Sequence, residues 1–167
     1  MVFHGCSYRH DAIVAATYDT CIAGAKEEEQ IVLHVRAQER GVVDRVRIHG
    51  RVSHNDVASY LFAADILVNP LVITHPGSVS AKLYEYLAAG KPIVSSPGGA
   101  NAEVITHEQN GLLVPLAPRA FADAVLRIQN DPAFARMLSE NAKSSAGHYT
   151  WTHRARLIGG LLNQLFM

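Results

Sequence analysis

Asn69-Pro70-Leu71-Val72-Ile73-Thr74-His75-Pro76-Gly77-Ser78-Val79-Ser80-Ala81-Lys82-Leu83-Tyr84-Glu85-Tyr86-Leu87-Ala88-Ala89-Gly90-Lys91-Pro92-Ile93-Val94 reads as a strand end, a loop of small residues, a helix and a second strand. Gly90 supplies the left-handed residue that stops a helix, and Pro92 forbids its continuation. A small-residue loop feeding a helix leaves backbone N–H groups free at the helix N-terminus, where a phosphate can bind. Glu85 follows inside the helix. The combination points to a site for a nucleoside diphosphate.

Outward from this stretch, short apolar runs alternate with helical patterns. Strands are expected at 2–4, 19–23, 46–49, 66–69, 92–95 and 112–114, and helices at 10–17, 27–40, 55–64 and 81–89. This alternation predicts right-handed βαβ units and a parallel sheet. In 55–64, Val57, Tyr60, Leu61 and Ala64 repeat at helical spacing and make one buried face, with Ser53 as cap and Asp56 as its box-like partner. After Pro115 only helices are expected, at 119–130, 132–144 and 151–166. Phe121, Ala124, Val125 and Ile128 share a face in the first of them, and Leu157, Ile158, Leu161, Leu162 and Leu165 mark the last. The fold class expected is therefore α/β, a Rossmann-like three-layer α/β/α with a parallel sheet of about six strands and C-terminal helices. No repeat or linker interrupts 1–167, so one domain is expected.

Composition bounds the function. The 167 residues are 49% hydrophobic and 18% charged, which is globular. Fifteen basic residues balance fifteen acidic ones, against a nucleic-acid partner held by bulk charge. Cys6 and Cys21 make no disulfide framework, so a reducing, cytoplasmic setting is expected. Neither a signal peptide nor a membrane span is visible, and peripheral membrane contact stays open.

Several residues could carry chemistry, each with a plainer alternative. The loop 76–80 is either a diphosphate cradle or a strand-to-helix turn with a serine cap. As a cradle, backbone N–H groups of Gly77, Ser78, Val79 and Ser80 and the serine hydroxyls donate, with Lys82 as charge partner. Glu85 either accepts the vicinal hydroxyls of a ribose or is a solvated helix glutamate paired with Lys82 or Lys91. His75 either touches a ligand or is a surface histidine. Gly98 and Gly99, followed by Glu103, allow close backbone approach or a tight turn. The pairs His49/His54 and His148/His153 lack metal-ligand spacing, so no metal is expected. Dinucleotide, Walker A and hydrolase-elbow motifs are absent.

Taken in order, six segments resemble the C-terminal, donor-binding domain of the retaining glycosyltransferases of family 4, the group 1 transferases of the GT-B fold. They are Asp44–Val52, Tyr60–Pro70, Glu85–Val94, Gly98-Gly99 with Glu103, Asn110–Val114 and Tyr149–Trp151. The resemblance covers about residues 19–165. It implies that the chain binds a nucleotide-sugar such as a UDP-, GDP- or ADP-sugar, as substrate and without a separate cofactor, at the carboxyl ends of its strands. It implies that Glu85, the second glutamate of the family's E-x7-E motif, holds the ribose, and that the preceding loop meets the diphosphate and sugar.

Departures accompany the match. Gly77 stands where the first glutamate of that motif would fall. Cys6 and Asp11 stand where the family places an Arg and a Lys against the diphosphate, which leaves Arg9 and Lys82 as substitutes. The acceptor-binding half of a GT-B enzyme is missing, so a fragment, one chain of a split enzyme working with an N-terminal domain or partner chain, or a degenerate relic is implied. Two other functions stand beside the donor half of a transferase: a non-catalytic GT-B-like scaffold or regulatory module, and a GT-B-like epimerase.

Overall fold

The structure is a computed structural model that describes the backbone of 2–4 and all of residues 19–70 and 77–165. The expected helix at 10–17 and the residues Cys6, Arg9, Asp11, His75 and Pro76 lie outside the described residues.

Six strands form one sheet: β1 (Val2–His4), β2 (Thr20–Ile22), β3 (Val46–Ile48), β4 (Ile66–Asn69), β5 (Ile93–Ser95) and β6 (Leu112–Leu113), in the order β3-β2-β1-β4-β5-β6. Among the described residues six helices accompany them: α1 (Glu27–Glu39), α2 (His54–Ala63), α3 (Ala81–Ala89), α4 (Pro118–Asn130), α5 (Pro132–Ala146) and α6 (Trp151–Leu165). Every expected element within the described residues is present, with ends shifted by a residue or two.

The sheet departs from the expectation at one strand. β2–β3, β4–β5 and β5–β6 pair in parallel, but β1 runs antiparallel to both β2 and β4. Parallel direction was inferred from alternation of strands with helices, because a parallel neighbour needs a crossover. An antiparallel neighbour needs none, and a three-residue strand carries too little side-chain pattern to choose its own direction.

Alternation along the inner strands sorts side chains between two cores. Leu67 of β4 and Ile93 of β5 join Cys21, Leu61, Leu83, Tyr86 and Leu87 on the face covered by α2 and α3. Ile66, Val68, Val94 and Leu112 point to the opposite face, where α4 lays down Phe121, Ala124, Val125 and Ile128. The α4 face expected from spacing is thus the buried one. Helix α5 joins both cores, through Ala142 on one side and Leu138 on the other.

Local chemistry explains the helix ends. The carboxylate of Glu29 accepts the Lys26 N–H at 2.7 Å and starts α1. Asp131 caps α5 by accepting from Phe134 N–H at 2.9 Å. Gly90 closes α3 at φ +62, as expected. Ser53 corrects the reading of α2. It is the N-cap residue, but its hydroxyl donates to the Asp56 carboxylate at 2.6 Å and makes no bond to the helix backbone. Asp56 is close enough to capture the hydroxyl that would otherwise cap.

Helix α6 stands apart. None of its residues is buried, and Trp151, Leu157, Leu161 and Leu165 are 57% to 82% exposed. The helix bears an apolar face that the described residues leave uncovered. No helix among the described residues is long and apolar enough to cross a membrane.

Tyr86 is fully buried, and its hydroxyl has no hydrogen-bond partner among the described residues. Burial, and secondarily the charge of Glu85, push its ionisation far above the ordinary tyrosine range. A buried hydroxyl without a partner costs free energy that a phenyl ring does not. Tyr86→Phe is therefore expected to raise stability by about 1 kcal/mol, read from the midpoint of urea unfolding. A lower midpoint would contradict the assignment.

Candidate functional site

The carboxyl ends of the strands gather the polar residues that the cores exclude. Asn69 ends β4, Ser95 ends β5, and both are buried. Asn69 Nδ2 donates to Ser95 Oγ at 3.1 Å. Across from them, Asn101 is wholly buried in a short 3-10 turn, Asn101–Glu103. Its Nδ2 donates to the Ser96 carbonyl at 3.1 Å, and its Oδ1 accepts the Ser80 N–H at 3.0 Å. The Ala100 N–H donates to the Ser78 carbonyl at 3.0 Å. The loop before α3 is thus tied to the turn after β5 on two sides.

Buried polar groups of this kind hold position only when all are satisfied. Here they fix the start of α3. Gly77 and Ser78 are exposed, Val79 is half-buried and Ser80 is buried. Ser80, expected as a phosphate donor, has its N–H held by Asn101, and its hydroxyl lies 3.4 Å from Asn69 Oδ1. The N–H groups of Ser78, Val79, Ala81 and Lys82 form no hydrogen bond among the described residues. Ser80 makes no side-chain cap, so the start of α3 keeps the Ala81 and Lys82 donors and the positive end of its dipole, while the Leu83 N–H bonds to the Ser80 carbonyl at 2.9 Å.

Lys82 is half-buried and lines a cleft of about 680 Å³ with Gly24, Ala25, Lys26, Glu28 and Glu29. Gly24 has φ +88, and its N–H bonds to the Gly50 carbonyl at 3.0 Å, which continues the β2–β3 ladder into the cleft wall. Lys26 is a cation of this cleft that sequence reasoning missed. It stands just before a run of three glutamates, a pattern that does not single it out.

Glu85 lies three residues beyond Lys82, on the same side of α3. It is half-buried and forms no ion pair with Lys82, Lys91 or any other described residue. The paired-glutamate reading of Glu85 therefore does not hold among the described residues. Gly99 adopts φ +63 in the turn after β5, where a left-handed residue is needed. Glu103 is exposed, and its carbonyl accepts the Tyr149 hydroxyl at 3.2 Å. Arg9 and His75 lie outside the described residues.

Asn69, Ser95 and Asn101 were not anticipated as a group. Asn69 and Ser95 each end an apolar strand and Asn101 follows a Gly-Gly turn, and each by itself reads as a cap or turn residue. The available signal was Asn101, a polar residue between two glycines and an apolar run.

Comparison with known proteins gives this arrangement a family. The model "Glycosyl transferases group 1" matches residues 10–131. The chain belongs to the group 1 glycosyltransferases. A putative glycosyltransferase of Bacillus subtilis, YtcC, is 28% identical over 143 residues, covering 81% of this chain and 35% of that protein. Among solved structures, sucrose-phosphate synthase of Thermosynechococcus elongatus superposes with a TM-score of 0.77 at 30% identity, over 87% of this chain and 38% of the other. Anabaena HepE in complex with UDP-glucose superposes with a TM-score of 0.71 at 20% identity, over 86% of this chain and 40% of the other. The fold is thus that of one part of a GT-B glycosyltransferase. The chain spans 24% to 35% of the length of the curated relatives it matches.

Proposed function

We propose that this chain is the donor-binding half of a retaining glycosyltransferase and takes a nucleotide-sugar as substrate. The observation that carries the reading is Glu85, a half-buried carboxylate with no ion pair among the described residues, next to a helix start where the N–H groups of Ser78, Val79, Ala81 and Lys82 bond to none of those residues. A carboxylate beside an anion-binding helix end suits a ligand with hydroxyls at one end and a diphosphate at the other. A nucleoside diphosphate has both. In this reading Glu85 accepts the two ribose hydroxyls. The first turn of α3 and Lys82 receive the diphosphate as the anomeric C–O bond breaks and its oxygen gains charge. Catalysis then rests on positioning and on stabilising the leaving group. HepE, which shares this fold, is known in complexes with UDP and UDP-glucose, which supports a nucleotide-sugar here.

The acceptor comes from a second half, and the relatives' greater length supports that arrangement. The uncovered apolar face of α6 is the surface that this half covers in the proposed enzyme. The alternative, a non-catalytic module, draws its support from Gly77. A Cβ there would meet none of the described residues within 4 Å, and the carboxylate of the family's first glutamate is absent.

Ligand-observed NMR of the chain against UDP, GDP and ADP tests the reading. Saturation transfer to one nucleotide, reduced in Glu85→Ala, is the expected result. No transfer to any of the three would favour the non-catalytic module.

A further inference from the structure

A serine at a helix start ordinarily turns its hydroxyl to the N–H of the second or third helical residue. Ser80 does the opposite. Its hydroxyl points inward to Asn69, and its own N–H is held by Asn101 Oδ1 at 3.0 Å. Asn101 is in turn fixed by donating to the Ser96 carbonyl at 3.1 Å and to Ser95 Oγ at 3.4 Å. A side chain with no exposed surface thus links the end of β5 to the peptide that opens α3. Without it the Ser80 N–H would be left buried and unpaired, and the chain would relieve that cost by rotating the peptide.

We propose that Asn101 is a positioning residue for the donor diphosphate. By taking the Ser80 N–H out of play, it fixes the flanking N–H groups of Val79, Ala81 and Lys82 toward the ligand. The cradle is then formed before the ligand arrives, and no reorganisation is needed on binding. This rests on the donor-site reading above. Asn101 touches no ligand itself, so its effect falls on the phosphates and not on the nucleoside.

The test compares Asn101→Ala with Asn110→Ala. Asn110 is a buried asparagine of a different turn, bonded to Thr106 N–H at 2.7 Å and to the Val104 carbonyl at 3.1 Å, and it makes no bond to α3. Both variants lose buried hydrogen bonds, and urea unfolding sets their stabilities on one scale. Affinities are measured by calorimetry for UDP, GDP and ADP, and for uridine, guanosine and adenosine. Asn101→Ala is expected to weaken the bound nucleoside diphosphate by about tenfold or more, while its nucleoside stays within about twofold. Asn110→Ala should leave both within about twofold. Should Asn101→Ala fail to fold, Asn101→Ser serves in its place, its hydroxyl being too short to span Ser80 and Ser96 together. Equal losses for diphosphate and nucleoside, or none for either, would overturn the proposal. If Glu85→Ala still weakens the nucleotide, the donor site survives and only the role of Asn101 falls. If the unaltered chain binds no nucleotide, both fall.

Discussion

Glu85→Ala is expected to lower the affinity of the chain for the proposed nucleoside diphosphate by about ten- to a hundredfold, without a matching loss of stability. The magnitude follows from hydrogen bonds to a charged group, about 1.5–3 kcal/mol, with a factor of ten for each 1.4 kcal/mol. The stability side follows from the structure: Glu85 is half-buried and holds no ion pair among the described residues, so its loss frees no partner. Adjacent Tyr86, by contrast, is fully buried and belongs to the core. Isothermal titration of both forms with UDP, GDP and ADP, beside urea unfolding, separates the two quantities. An unchanged dissociation constant would remove Glu85 from the site. A loss of affinity matched by a collapse in stability would make its role structural.

Gly111→Val destabilises the fold by about 3 kcal/mol, the upper end of what overpacking costs. A Cβ at this position would stand 2.9 Å from Ile105 Cγ2 and 3.2 Å from the Ile93 carbonyl oxygen. The Ile105 methyl can turn aside, but the carbonyl belongs to the backbone of β5 and cannot. A β-branched side chain brings two further carbons into the same space. Thermal or urea unfolding reads the loss directly. The Asn110–Gly111 pair lies at the turn before β6, and both residues are needed for it. Asn110 ties the turn together by side-chain bonds, and Gly111 lets it pass against β5. A midpoint unchanged in Gly111→Val would mean that β6 can move away from β5, and the packing described here would be wrong.

Much of the fold was legible because its elements carry periodic and positional signals. Gly90 and Pro92 fixed the end of α3, and the spacing of Phe121, Ala124, Val125 and Ile128 gave the buried face of α4. The direction of β1 was not legible, since the pattern of three residues is compatible with either pairing. Ser53 shows a subtler failure. The sequence places a capping residue correctly, but not whether its hydroxyl accepts from a backbone N–H or donates to the nearby Asp56 carboxylate.

The site was legible in part and for similar reasons. Glu85, Lys82 and the small residues 77–80 are local in the chain, and a loop followed by a helix announces itself. The group of Asn69, Ser95 and Asn101 is not local. Asn69 and Ser95 are 26 residues apart and meet only because β4 and β5 are neighbours in the sheet. Their meeting draws Ser80 into a buried network, which residue types alone do not reveal. Lys26 enters the cleft for the same reason, through the neighbouring ends of β2 and α3.

The central claim is that the start of α3 and Glu85 form one site for a nucleoside diphosphate. Its most direct test is titration of the isotope-labelled chain with UDP, GDP and ADP, followed by amide proton–nitrogen spectra. The account predicts that one nucleotide shifts the amides of Ser78, Val79, Ala81, Lys82 and Glu85 together, with a single dissociation constant. Shifts confined to residues away from α3, or no shifts with any of the three, would contradict it.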